Sequence, residues 1–330
     1  MKNVQHFIGA DLAKKTIDLC CHGTQASLSI GNTPQGFKEL LKWFRQQQID
    51  PDKVLIVMEH TGLYGWALEA FLHDHQIDFV KVNALTIKRS IGLVRGKTDK
   101  LDAARIACYG HRHQEVLKAE TVPDHQLKRL QMLQSNRELL VKQRAGLLCA
   151  VKEYRNIQIP DKDLILQPLL QVIKTLDKQI EKLEQEINQV ITNHDDLKTN
   201  FRLLTSIKGV GPVVALATLI KTRNFTRFAN ARKFACYCGT APFEHSSGTS
   251  IRGRTRVSHL ADKSMKTLLD LAAKTAIQHD QEIKDFYRRR IENGKSKMST
   301  INIVRNKILY RMFAVIKRQT PFIPNYQLAA

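Results

Sequence analysis

Four acidic residues, Asp11, Glu59, Asp99 and Asp102, stand where a carboxylate needs a reason. Asp11 sits near the end of the apolar run FIGADLA, and Glu59 ends VLIVME. A carboxylate closing a buried strand is costly unless it is paired or coordinates a cation. Asp99 and Asp102, in RGKTDKLDAARIA, lie three apart and so share one helix face. Taken singly, the strand-end acids read as turn residues or solvated strand ends. Taken with the helix pair, they form a constellation that hard divalent cations would explain. Mg2+ takes oxygen ligands and keeps positions open for water and phosphate oxygens. One ion, or two roughly 3.5–4 Å apart, can stabilise the attacking and leaving oxygens of a phosphodiester. Lys97, Lys100 and Arg105 flank the helical acids and could hold the strand that brings the phosphate.

A second candidate is Ser247, in HSSG just before Gly248, with Ser246 as an adjacent hydroxyl. Such a serine reads as a turn residue, as a phosphate contact, or as a nucleophile that attacks a DNA phosphate. In the last case Arg252, Arg254 and Arg256 would offset the developing charge. Spacing alone does not separate these readings. A third candidate is LLTSIKGVGPVVALATLIK, where two helical stretches flank Gly-x-Gly. Gly209 and Gly211 permit a tight turn, Pro212 suits a first helical position, and Lys208 adds a charge. Backbone N–H groups at such a turn can bind phosphate without reading bases.

The elements that must position these groups divide the chain into three parts. In residues 1–115, three short β-like runs (HFIGADLA, TIDLCCHG, ASLSIGN) precede the helical TPQGFKELLKWFRQQQ. A buried-strand pattern, KVLIVMEHTG, then a helix, LYGWALEAFLHDH, and a last strand, IDFVKVNA, follow before the helix of residues 95–107. This order predicts an α/β fold with a mixed sheet. Residues 116–200 are helical. A first helix over about 124–155 breaks at QIPDKD. The second places Leu169, Ile173, Leu176, Ile180, Leu183, Ile187 and Val190 in alternating 4,3 steps. That heptad seam predicts a coiled-coil hairpin, serving internal packing or dimerisation. Residues 201–330 read as mainly helical around the Gly/Ser/Arg-rich loop CGTAPFEHSSGTSIRGRTR, and the last helix starts at Ser299 as N-cap and carries Lys317 and Arg318 at its end.

Charge is distributed as unevenly as the motifs. The last part, residues 201–330, holds 24 basic and 7 acidic residues, which is +17 of the chain's formal +21. A surface so basic calls for a polyanion, and nucleic acid is the usual one, with a ribosomal or membrane surface as the alternatives. No apolar run approaches the roughly 18 residues that span a bilayer. The start lacks the apolar core of a signal peptide. The six cysteines form no C-x-x-C pair, so zinc spacing is absent, and they read as buried reduced thiols of a cytoplasmic protein.

With GADLAKKTIDLC, VMEHTG, KTDKLDAARIA, KGVGPVVA and GTAPFEHSSG in this order, the chain resembles the DEDD transposases of bacterial insertion sequences. That family includes pilin-gene invertases and recombinases guided by a bridge RNA encoded by their own element. The resemblance spans nearly the whole chain. It implies an RNase H-like, RuvC-like N-terminal domain and a C-terminal transposase domain, to which the residues themselves add the coiled-coil middle and, at the Gly-x-Gly turn, a helix-hairpin-helix. It also implies that Asp11, Glu59, Asp99 and Asp102 bind Mg2+ and that Ser247 is the nucleophile. Double-stranded DNA and a noncoding bridge RNA are the implied partners. The implied assembly is a dimer that pairs into a tetramer, in a nucleoid-associated cytoplasmic setting. Two readings compete with a recombinase of this kind. One is a structure-selective nuclease, of the Holliday-junction type, that cuts with water. The other is a nucleic-acid-binding protein without catalysis.

Overall fold

A computed structural model describes residues 3–324 apart from 93–95, 97, 121–123, 158–159 and 249–250; at His245, Ser247, Ile251, Arg252 and Arg254 it describes the backbone only. The chain forms two compact units, residues 1–122 and 123–330.

The first unit follows the predicted order. Strands β1 (His6–Leu12), β2 (Thr16–Cys21) and β3 (Ser27–Gly31) form an antiparallel meander. Helix α1 (Pro34–Gln46) starts where the Thr33 side chain accepts from the Gly36 N–H, with Pro34 in the first turn. It buries Phe37, Leu40, Trp43 and Phe44. Strand β4 (Val54–Glu59) then pairs parallel to β1, helix α2 (Trp66–Asp74) crosses over, and β5 (Asp78–Val82) pairs parallel to β4. The sheet order is β3-β2-β1-β4-β5. The unit continues with α3 (Ala84–Ile91), which the sequence reading ran past, and α4 (Asp99–Arg112).

Strand alternation divides the core in two. Ile8, Ala10, Leu12, Ile17, Leu19, Ile56 and Met58 join the residues of α1 and α2 on one face. Phe7, Leu55, Val57 and Val80 pack with Ile106 and Tyr109 of α4 on the other. Each buried Val, Leu, Ile, Phe or Met side chain among these stabilises by about 1.5–3 kcal/mol. Helix α4 lies against β1 at the closest approach two backbones allow. A Cβ on Gly9 would stand 2.0 Å from the Ala103 carbonyl oxygen and 2.3 Å from the Ala107 nitrogen.

The second unit opens with α5 (His125–Asn156) and α6 (Lys162–Thr192), close to the predicted hairpin. The α6 seam turns toward α5: Leu166 and Ile173 pack with Val151 at one end, and Ile187 and Val190 with Leu127 and Leu130 at the other. Arg129, Arg137 and Arg144 on α5 pair with Glu186, Glu184 and Asp177 on α6, fixing the antiparallel register. Cys149 on α5 is exposed, contrary to the expectation of six buried thiols, because it faces away from that seam. Helices α7 (Asp195–Thr205) and α8 (Pro212–Thr222) follow, then α9 (Ala231–Tyr237).

The segment read as a Gly/Ser/Arg loop is instead largely a ribbon of two antiparallel strands, β6 (Pro242–Ser247) and β7 (Ile251–Val257). Among the described side chains of the ribbon, Glu244, Ser246, Thr255 and Arg256 are exposed, and such positions need no apolar alternation. Helices α10 (Lys263–His279), α11 (Gln281–Glu292) and α12 (Lys297–Arg318) complete the unit around Leu204, Phe234, Leu269, Ile308 and Met312. Ser296, not Ser299, is the N-cap of α12, which begins one turn earlier than its apolar face suggested. Among the described residues, no helix is long and apolar enough to cross a membrane.

Candidate active site

The fold brings the four predicted acids to one end of the sheet. The register Ala10↔Met58 sets Asp11 beside Glu59, one residue past the last pair of β1 and β4. Both continue the series Phe7, Gly9 and Leu55, Val57, so both stand on the face that α4 covers. The contact at Gly9 fixes where α4 begins. Asp102 precedes Ala103, which lies over Gly9, and Asp99 is one turn nearer the helix start. Thr98 caps that start by accepting from the Leu101 N–H at 3.3 Å. Acids in a first turn are favoured by the helix dipole, which offsets part of their mutual repulsion.

The electrostatics report the crowding. Burial pushes the Asp11 carboxyl up to about 6, and the charges of Asp99, Asp102, Glu59 and Asp18 push in the same direction. Asp18, on β2, is an acid that the sequence reading passed over. It faces Asp11 directly across the antiparallel pair. Its signal was a single charge in the otherwise apolar TIDLCC.

Of the cations expected to hold a nucleic-acid strand here, Lys100 is exposed and Lys97 lies outside the described residues. Arg105 is committed elsewhere: its guanidinium donates to Asp102 Oδ1 at 2.8 Å and to the Gly96 carbonyl at 2.9 Å. Among the described residues, no three acidic, histidine or cysteine side chains converge closely enough to hold a metal ion. A cation would therefore have to draw these carboxylates together. Their oxygen donors and their excess of negative charge suit a hard divalent ion, which would compete with Arg105 for Asp102.

Ser247 lies in the other unit, as the last residue of β6, with Ile251 opposite it. Its side chain, like those of Arg252 and Arg254, lies outside what is described. Ser246 and Arg256 are exposed. The root of the ribbon is firmly tied. Gly239 adopts φ +66° and lies so close to Ala261 that a Cβ would fall 2.4 Å from the alanine methyl. The buried Thr240 carbonyl accepts from Asn302 Nδ2 and Asn306 Nδ2, each at 2.9 Å. Beyond the ribbon, Asp262 caps α10 and accepts from Lys221 at 2.7 Å and from the Tyr237 hydroxyl at 2.9 Å. Burial alone would raise the Asp262 carboxyl; the hydrogen bonds from Lys221, the Met265 N–H, Ser264 and Tyr237 outweigh it and hold it below the usual carboxylate range.

The Gly-x-Gly turn divides in role. Gly209 has φ +94°, and a Cβ there would meet the Ala272 carbonyl oxygen at 2.5 Å, so this glycine serves packing on α10. Gly211 caps α8 with open space around it, and Lys208 is exposed.

Comparison with known proteins follows the same division. A family model described as a DEDD transposase of the IS110 type matches residues 8–154, which include all four acids. A second, described as the transposase IS116/IS110/IS902 family, matches residues 201–288, which include the ribbon. A pilin gene-inverting protein of Moraxella bovis is 28% identical over 330 residues, covering 96% of this chain and 97% of the relative. Its counterpart in Moraxella lacunata is similar to the same extent. An insertion element IS110 protein of Streptomyces coelicolor is 27% identical over 158 residues, which is 48% of this chain and 38% of that protein. Two transposase models matched in order, one on the acid-bearing unit and one on the ribbon-bearing unit, together with the pilin gene-inverting relatives, make the chain an enzyme of DNA recombination that is similar to the DEDD transposases of the IS110/IS116 family.

Proposed function

We propose that the protein is a transposase and site-specific recombinase that cuts and rejoins double-stranded DNA with a divalent-metal site on one unit and a serine nucleophile on the other. The observation that carries this reading is the convergence of acids around Asp11, which faces Asp18 across β1 and β2, stands beside Glu59 of β4 and lies under the first turn of α4 with Asp99 and Asp102. Such crowding costs folding free energy, which the binding of a cation would recover.

Asp11, Glu59, Asp99 and Asp102 would hold the metal, with Mg2+ as the assigned ion. When bound, the metal supplies Lewis-acid stabilisation of the phosphate oxygens. The Ser247 oxygen attacks phosphorus. A phosphoserine bond forms, one bridging P–O bond breaks, and the leaving oxygen takes up a proton in place of the one serine gives up. A hydroxyl from another strand then attacks the phosphoserine and frees Ser247. Bond energy is conserved through both steps, so no ATP is consumed. Arg252, Arg254 and Arg256 lie on β7 opposite the serine strand, where their charge would offset that of the phosphate. Lys208 and Gly211 would bind the DNA backbone at the start of α8.

Three further parts of the reading rest on the family resemblance: a noncoding bridge RNA that selects sites, the dimer, and its pairing into a tetramer. Leu139, Leu164 and Val172, exposed on the α5–α6 hairpin, suit packing against a second copy. The named activity of the Moraxella relatives supports inversion as one outcome of the chemistry.

The test is covalent capture. Wild-type protein incubated with Mg2+ and DNA carrying the element ends, then denatured, should carry DNA on a serine, and Ser247→Ala should carry none. Cleavage without any adduct would favour the nuclease that cuts with water. Binding without cleavage in any divalent metal would favour the non-catalytic reading.

A further inference from the structure

Asp18 has no part in the four-acid reading, yet three observations place it there. The first is register. Asp11 and Asp18 are direct partners across β1 and β2. The Ala13 N–H donates to the Thr16 carbonyl, and the His22 N–H to the Phe7 carbonyl. The odd-numbered residues of β1 therefore form the hydrogen-bonded pairs, whose Cα atoms lie about 5.5 Å apart with side chains on the same face. The second is burial. Asp18 is only 9% exposed, while Ile17 and Leu19 point into the opposite core. The third is the lack of a counterion. Among the described residues no hydrogen-bond donor or cationic side chain is partnered with the Asp18 carboxylate, whereas Asp102 has Arg105 and Glu69 has Lys81.

Like charges directly opposite on a sheet face are destabilising, and a buried carboxylate without a partner is costly. A neutral residue at position 18 would avoid both costs. A cation between the two strands would offset both. We infer that Asp18 is a fifth carboxylate of the metal site, a positioning residue that holds the cation or its bound water against Asp11 from the β2 side. The inference rests on the metal-site reading above and extends it to a strand that reading leaves out. In a site of five carboxylates, Asp18 and Asp11 flank the ion from β2 and β1, while Glu59, Asp99 and Asp102 approach from β4 and α4.

Metal binding itself is the experiment, read without reference to DNA cleavage. Mn2+ binding to the full chain is measured by titration calorimetry and by the loss of free-Mn2+ electron paramagnetic resonance signal, at pH 8. Wild type, Asp18→Asn, Asp18→Ser and Asp11→Asn are compared, with circular dichroism reporting fold. Supporting residues of metal sites typically contribute 10–100-fold in affinity. Asp18→Asn and Asp18→Ser should therefore bind Mn2+ about tenfold or more weakly than wild type while keeping its circular dichroism. Asp11→Asn should bind more weakly still. Wild-type affinity in a folded Asp18→Asn or Asp18→Ser variant, beside a weakened Asp11→Asn, overturns the role of Asp18 and leaves the four-acid site standing. Wild-type affinity in Asp11→Asn as well overturns the site reading itself. Loss of fold in both Asp18 variants also overturns the inference, because it would make the carboxylate a structural requirement of the metal-free sheet.

Discussion

Replacing Asp11 with asparagine should make the metal-free protein more stable, and the size and pH dependence of the gain follow from its surroundings. The carboxyl is raised from 3.8 to about 6 by burial and by four neighbouring acids. A raised carboxyl pKa means that the folded state keeps its proton longer than the unfolded chain does. The stability it contributes is therefore fully present below pH 3.8 and is lost as pH rises through 6. The shift corresponds to about 3 kcal/mol at roughly 1.36 kcal/mol per unit. Asp11 is partly open to solvent, so screening reduces this to about 1.5 kcal/mol. Asparagine keeps the shape and never ionises. At pH 8, with chelator present, Asp11→Asn should be more stable by that amount, and the gap should shrink to about a third by pH 4.5. The chain's two tryptophans, Trp43 and Trp66, both lie in the acid-bearing unit, so urea unfolding followed by tryptophan fluorescence reports on that unit. A midpoint shift of about 1 M urea is expected. Excess Mg2+ should reverse the order, because only the wild-type site binds it tightly. A less stable Asp11→Asn at pH 8, or a gap that does not change with pH, would refute the reasoning, since either result makes the ionised carboxylate a favourable part of the sheet.

Other perturbations separate geometry from charge. Gly9→Ala places a methyl 2.0 Å from the Ala103 carbonyl oxygen. Overpacking of this kind costs about 1–3 kcal/mol, and the shift it forces on α4 should lower cleavage by about 100-fold, measured as initial rate on element-end DNA. In the second unit, Gly209→Ala should lower the thermal midpoint without first weakening DNA binding, because the added methyl meets Ala272. Lys208→Ala should leave the midpoint unchanged and reduce the slope of log affinity against log salt by about 0.9.

Much of this architecture is legible in the sequence. The order β1-β2-β3-α1-β4-α2-β5 follows from apolar runs whose period changes cleanly between strand and helix, and from the Thr33-Pro34 start of α1. The α5–α6 hairpin follows from its heptad spacing. Features hidden from the sequence are those that depend on proximity. Helix α3 is eight residues long, too short for its period to stand out beside the strand before it. The β6–β7 ribbon is rich in Gly, Ser and Arg, with Glu244, Ser246, Thr255 and Arg256 exposed among its described side chains, and that composition imitates a loop. Arg105 reads as a free cation until Asp102 and the Gly96 carbonyl are seen on its guanidinium. Asp18 is visible as a charge in TIDLCC, but its significance lies in the partner it faces, and strand register is a property of two segments at once.

The clamp at Thr240 makes the β6–β7 ribbon a cantilever. It is fixed where Asn302 and Asn306 grip the backbone, and Ser247 stands at its far end, five residues beyond Pro242. At about 3.4 Å per residue that arm is roughly 17 Å long. A tilt of about 5° at the root would carry the tip through about 1.5 Å, by the same strand geometry. Misplacement on that scale is enough to change a reaction rate by about 100-fold. Under the proposed serine chemistry, the two asparagines on α12 would therefore set the aim of Ser247 by leverage.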